Sequence, residues 1–113
     1  MTAPESKVAA PVGGVDGVSL IGAERQRQIE AEGWTPEHDD EYLHGELIRA
    51  AVCYALEPGT PIREHTPPMW WPWTWSESWW KPTPDDRIRE LVKAGALIAA
   101  EIDRLSRATG AAS

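Results

Sequence analysis

A chain of 113 residues with a formal net charge of −7 has room for one domain and one modest core. The acidic balance argues against a binder of phosphate backbones, which needs a concentrated lysine and arginine surface. A single cysteine, Cys53, excludes an intramolecular disulfide.

Residues 1–17 are rich in Ala, Pro, Gly and Val without a helical or strand period, so a flexible leader is expected there. No signal-peptide pattern and no run of ~20 apolar residues is found, so the cytosol is the expected compartment and no membrane is expected as partner. The domain is expected over 18–108, with a flexible tail over 109–113 after a stop near Gly110.

The first helix is predicted from Val18 to Glu32, with Gly33 as its stop and Leu20, Ile21 and Ile29 as its apolar anchors. Thr35-Pro36-Glu37 has the form of a helix start: an N-cap, a proline at the first position and an acid at the positive end of the dipole. The second helix is predicted over roughly Asp40 to Leu56. It gathers Leu43, Glu46, Leu47, Ala50, Cys53 and Tyr54 on one face.

A long proline-rich connection follows, over 57–83, and six of the seven tryptophans fall between Met69 and Trp80. That much aromatic surface does not stay in water, so the segment is predicted to be an ordered lid or brace whose rings either supply core to a domain without phenylalanine, the leading expectation, or stack on a base. Thr83-Pro84-Asp85-Asp86 repeats the start signal, and Ile88, Leu91, Val92, Gly95, Ile98, Ala99, Ile102 and Leu105 share one face of a third helix. The resulting expectation is an all-α fold with a three-helix core. Helices that are apolar on more than one side make a homo-oligomer the expected assembly.

The polar residues concentrate in Glu24-Arg25-Gln26-Arg27-Gln28, in Glu37-His38-Asp39-Asp40 and at Glu46. Arginines fork onto phosphate, glutamine reads a base edge, and a carboxylate takes a ribose hydroxyl or a divalent cation. A ligand site for a small phosphorylated nucleotide is therefore expected from Arg25, Arg27, Gln28, Trp34, His38, Asp39, Asp40 and Glu46. In this scheme Trp34 stacks on the base and Glu46 orients Arg25. The structural alternative is a solvated helix face of Glu–Arg pairs beside a capped helix start. Adjacent helical residues point about 100° apart, so His38, Asp39 and Asp40 do not form a zinc site together. Magnesium through one or two of Glu37, Asp40 and Glu46 is the metal that the residue types allow. No Gly-rich phosphate loop, Ser–His–Asp set or CxxC motif is present, and covalent catalysis has no support.

The string Glu24-Arg25-Gln26-Arg27-Gln28-Ile29, Glu32-Gly33-Trp34-Thr35, Glu37-His38-Asp39-Asp40, Gly45-Glu46-Leu47 and Ala50-Ala51-Val52-Cys53-Tyr54-Ala55 resembles a group of small phage and prophage proteins. The resemblance extends to the Trp-Trp-Pro-Trp block and to Leu91-Val92-Lys93-Ala94-Gly95-Ala96-Leu97-Ile98, covering most of the chain from Ile21 to Leu105. In outline the chain is similar to MazG-like all-α nucleoside triphosphate pyrophosphohydrolases, a likeness that would imply magnesium. Their pattern joins ExxE on one helix to ExxD on a later one, whereas here Glu37 to Asp40 gives ExxD without a matching ExxE. It is similar in outline also to phage counter-defence sponges, which hold a nucleotide immune signal without cleaving it. A third expectation is an acidic protein that blocks a host factor. With the hydrolase's carboxylate pattern incomplete, sequestration is the leading expectation.

Overall fold

In the computed structural model, residues 16–110 are described; most of the expected leader, 1–15, and the last three residues lie outside them. The described chain is helical, with no strand. It comprises α1 (Gly17–Glu32), α2 (Pro36–Asp39), α3 (Glu46–Ala55), α4 (Pro61–Glu64), a one-turn 3-10 helix (Glu77–Trp79) and α5 (Arg87–Thr109). No helix among these residues is long and apolar enough to cross a membrane. The longest helix, α5, is the hub, with α1, α2 and α3 all packing on it.

Local chemistry sets the boundaries, and three of them differ from expectation. The Asp16 side chain caps α1 by accepting from the Ser19 N–H, so two residues of the expected leader belong to the helix start. Thr35 and Pro36 do open a helix, but α2 lasts one turn. The main second helix then begins at Glu46 rather than Asp40, because Gly45 (φ 79°) turns the chain into it from a conformation that favours glycine. Asp86, not Thr83, caps α5: its carboxylate accepts from the Arg89 N–H, while Thr83 and Pro84 form a preceding turn. Gly110 (φ 75°) ends that helix as a left-handed cap.

The core is built from Leu47, Ala50, Ala51, Cys53 and Tyr54 of α3, Ala94, Leu97 and Ala100 of α5, and Trp71 and Trp75 of the connection, with Trp34, Tyr42 and Trp80 packed against it. The five α3 residues come from the predicted apolar face and its flank, whereas Leu43, ahead of the helix, is exposed. On α5 the arrangement departs from the hydrophobic count. Small residues face inward, leaving volume for the tryptophan rings, while Ile88, Leu91, Ile98, Ile102 and Leu105 are on the outside. Trp71, Trp75, Trp79 and Trp80 meet one another and Tyr54, Tyr42 or Trp34 largely edge-on, with ring centroids 4.7 to 6.4 Å apart. Such pairs are worth about 0.5–1.5 kcal/mol each beyond the area they bury. The connection is thus ordered core, with Pro68 and Pro72 fully buried and only Met69, Trp70, Trp73 and Trp79 substantially open among its large apolar side chains.

Buried charge closes the lower end of the molecule. Arg63 and Arg87 both bond to Glu90 and to the last carbonyls of α3, those of Tyr54 and Leu56, and Arg87 also takes that of Ala55. Two guanidiniums therefore cap a helix C-terminus, where cations are favoured, and one carboxylate neutralises them.

Candidate functional site: a cleft between α1, the tryptophan connection and α5

The α1 helix carries little apolar surface, and the side chains it buries are Glu24 and Gln28. Burying a charge is tolerable only when it is paired and hydrogen-bonded. The Glu24 carboxylate accepts from Arg27 through both Nε and a terminal nitrogen, from Arg89 of α5, and from the Gln28 amide. Burial by itself would raise the Glu24 carboxyl, but the bonds and charges of Arg27 and Arg89 outweigh it and hold it at about 2. Arg27 is raised correspondingly, chiefly by its bond to Glu24 and then by that to Glu32.

This network floors a cleft of about 480 Å³. It is lined from α1 by Glu24, Arg27, Gln28 and Glu32, from the α1–α2 turn by Trp34, from α2 by His38, and on the far side by Tyr54, Trp79, Lys81, Lys93 and Leu97. The size falls in the range of small-molecule sites, ~300–1,000 Å³. The far wall is pinned by Tyr54, whose hydroxyl donates to the Trp79 carbonyl and accepts from the Lys81 N–H. Lys93 adds a second tie by donating to the Lys81 carbonyl, and its ammonium lies 5.3 Å from the Tyr54 ring centroid. Desolvation, helped by the charge of Arg89, lowers the Lys93 ammonium below its ordinary value. Trp34 lies nearly parallel to His38 at 6.2 Å between centroids and 6.4 Å from Trp79.

Gln28 carries an unmet requirement. It is 4 % exposed, and its Nε2 is committed to Glu24, while Oε1 has no hydrogen-bond partner. Because Glu24 can only accept, the amide nitrogen must face it, and Oε1 is left as a buried acceptor beside the cleft. An unsatisfied buried acceptor of this kind costs about 1–3 kcal/mol.

Of the residues expected in a ligand site, the fold brings Arg27, Gln28, Trp34 and His38 together in the cleft. Arg25 instead binds Asp39 and donates to the Trp34 carbonyl, joining α1 to α2. Its carboxylate partner is therefore Asp39, fully buried, and not Glu46, which accepts from the His44 backbone N–H. Burial raises the Asp39 carboxyl despite the opposing charge of Arg25. Asp40 pairs with Arg107 at the far end of α5. Glu37, Asp40 and Glu46 do not converge, and among the described residues no three His, Cys, Asp or Glu side chains form a cation cage.

Sequence reasoning missed Tyr54, Trp79, Lys81 and Lys93 as wall residues. Lys93 had a usable signal, as the one charged residue in the otherwise apolar and small run from Leu91 to Ala100. The other three depend on how the connection folds back over α3, which no periodicity encodes. Comparison with family models, with curated proteins and with solved structures finds no match for this chain.

Proposed function

We propose that the protein binds a small phosphorylated nucleotide in this cleft and holds it intact. The observation that carries the reading is a cleft walled by indole rings and edged by cations whose lining includes Gln28, a side chain with its buried Oε1 unpartnered. An acceptor with no donor calls for an N–H from the ligand, such as the amino or ring N–H of a base. Trp34 and Trp79 offer ring faces for stacking, and Arg27, Lys81 and Lys93 offer charge to phosphate. Holding is favoured over hydrolysis because the cleft's carboxylates, Glu24 and Glu32, are each engaged by Arg27. Its resemblance to small phage and prophage proteins gives that activity a role, a counter-defence sponge that withdraws a nucleotide immune signal from its receptor.

The test is isothermal titration of the protein with ATP, ADP-ribose, cyclic dinucleotides and inorganic phosphate, followed by heat release and chromatography of the bound material. The expected result is binding of at least one nucleotide, recovered unchanged. Binding should weaken about 5- to 150-fold in Trp79→Ala, the range of ~1–3 kcal/mol for one stacked ring. Recovery of a monophosphate would establish a pyrophosphohydrolase instead. Absence of binding across the panel would leave the cleft structural and move the reading to an acidic protein that blocks a host factor.

A further inference from the structure

The outer face of α5 carries Ile88, Leu91, Ile98, Ile102 and Leu105, which are 69, 49, 42, 57 and 48 % exposed. Together with Gly95 their spacing is three, four, three, four, three, the repeat that keeps a seam facing one partner helix along its length. The one gap, at Gly95, is filled from within the molecule. A Cβ there would lie 2.5 Å from the Cδ1 of Ile21, so α1 inserts an isoleucine where the stripe lacks a side chain. The result is a continuous apolar ridge about 26 Å long, at 1.5 Å per residue.

We propose that this ridge is the interface of a two-fold homodimer, in which α5 of one copy packs along α5 of the other. Three observations select a second copy as the occupant. The first is the repeat itself: knobs at this spacing fit the holes of a helix with the same spacing, and an identical chain supplies it. The second is area. About half exposed, the five side chains leave on the order of 400 Å² of apolar surface per copy. A stable interface takes ~800 Å² from each partner, of which 56–65 % is apolar, so the ridge supplies most of the apolar share. The third is charge. The positions flanking the seam are Arg87, Val92, Ala94, Ala99, Glu101, Ser106 and Ala108; the two charged ones are already paired within the chain, Arg87 with Glu90 and Glu101 with Arg104, so two chains of net charge −7 can meet there without unpaired like charges. The small flanking residues also permit close approach of the two helix backbones.

Sedimentation equilibrium of the full chain from 1 to 100 µM, beside Leu91→Lys, Ile102→Lys and the control Val18→Lys, tests the assignment. Val18 is 82 % exposed on α1 and is not one of the ridge side chains. The expected result is a species near twice the 12.5 kDa chain mass for the wild type and the control, with both ridge variants monomeric and unchanged in circular dichroism. Since Leu91 and Ile102 are about half exposed within one chain, a variant that loses its helical signal would show that the ridge serves the monomer's own fold and would overturn the proposal. A wild type that stays monomeric through 100 µM, or an oligomer that survives both ridge substitutions, would overturn it equally.

Discussion

Substituting Glu24 by Gln keeps the shape of the side chain and removes the charge that Arg27, Arg89 and Gln28 converge on. The Glu24 carboxyl is lowered from 4.5 to about 2 in the folded chain, its burial overcome by the bonds from Arg27 and Arg89. At about 1.4 kcal/mol per tenfold change, the ionised group contributes on the order of 3 kcal/mol to folding. The folded value is depressed, so this contribution is present above pH 4.5 and is lost as pH falls from there through 2. By pH 3.5 about 1.4 kcal/mol of it should be gone. Urea unfolding of the wild type and of Glu24→Gln at pH 7 and pH 3.5 measures this directly, because the other carboxylates titrate in both proteins and cancel in the difference. The wild type should lead by about 3 kcal/mol at pH 7 and by roughly half that at pH 3.5. A lead that is the same at both pH values would refute the network as the reason Glu24 is buried.

The buried arginine pair at the α3 C-terminus gives a second prediction: Glu90→Ala strands Arg63 without its counter-charge and should cost about 3–5 kcal/mol, read from the urea midpoint. Gly95→Ala should destabilise despite alanine's better helix propensity, since its Cβ would meet Cδ1 and Cγ1 of Ile21; in an Ile21→Ala background, which lacks both atoms, the same substitution should instead stabilise by up to about 1 kcal/mol. Thermal melts of the four proteins test the change of sign. Burial pushes the Cys53 thiol up to about 11, so in the folded protein at pH 8 it should resist a thiol-reactive disulfide reagent and should react on unfolding in urea.

The fold was legible where local chemistry governs it. Gly33 stops α1, Thr35 and Pro36 open α2, and the apolar period of α3 gives most of its buried face. It was not legible where packing overrides the period. The aliphatic stripe of α5 is a long periodic hydrophobic signal, yet it faces outward, because the tryptophans of the connection pack on the small alanine side of the same helix. The polar cluster of α1 and α2 was found as a cluster, but its internal pairing was not. Arg25 and Asp39 lie fourteen residues apart and meet only because Gly33 reverses the chain, whereas Glu46, the expected partner, is taken up at its own helix start. Half of the cleft was therefore visible from residue types, and the opposite wall required the connection's path.

If the cleft is where a nucleotide is held, the indole N–H signals of the seven tryptophans report it most directly. In a 15N-labelled sample, with signals assigned by single Trp→Phe variants, the panel nucleotide that binds is titrated and the indole shifts are followed. The expected result is shifts concentrated at Trp34 and Trp79, which line the cleft, while Trp70 and Trp73 stay fixed on the outer surface. Shifts confined to Trp70 and Trp73 would contradict it.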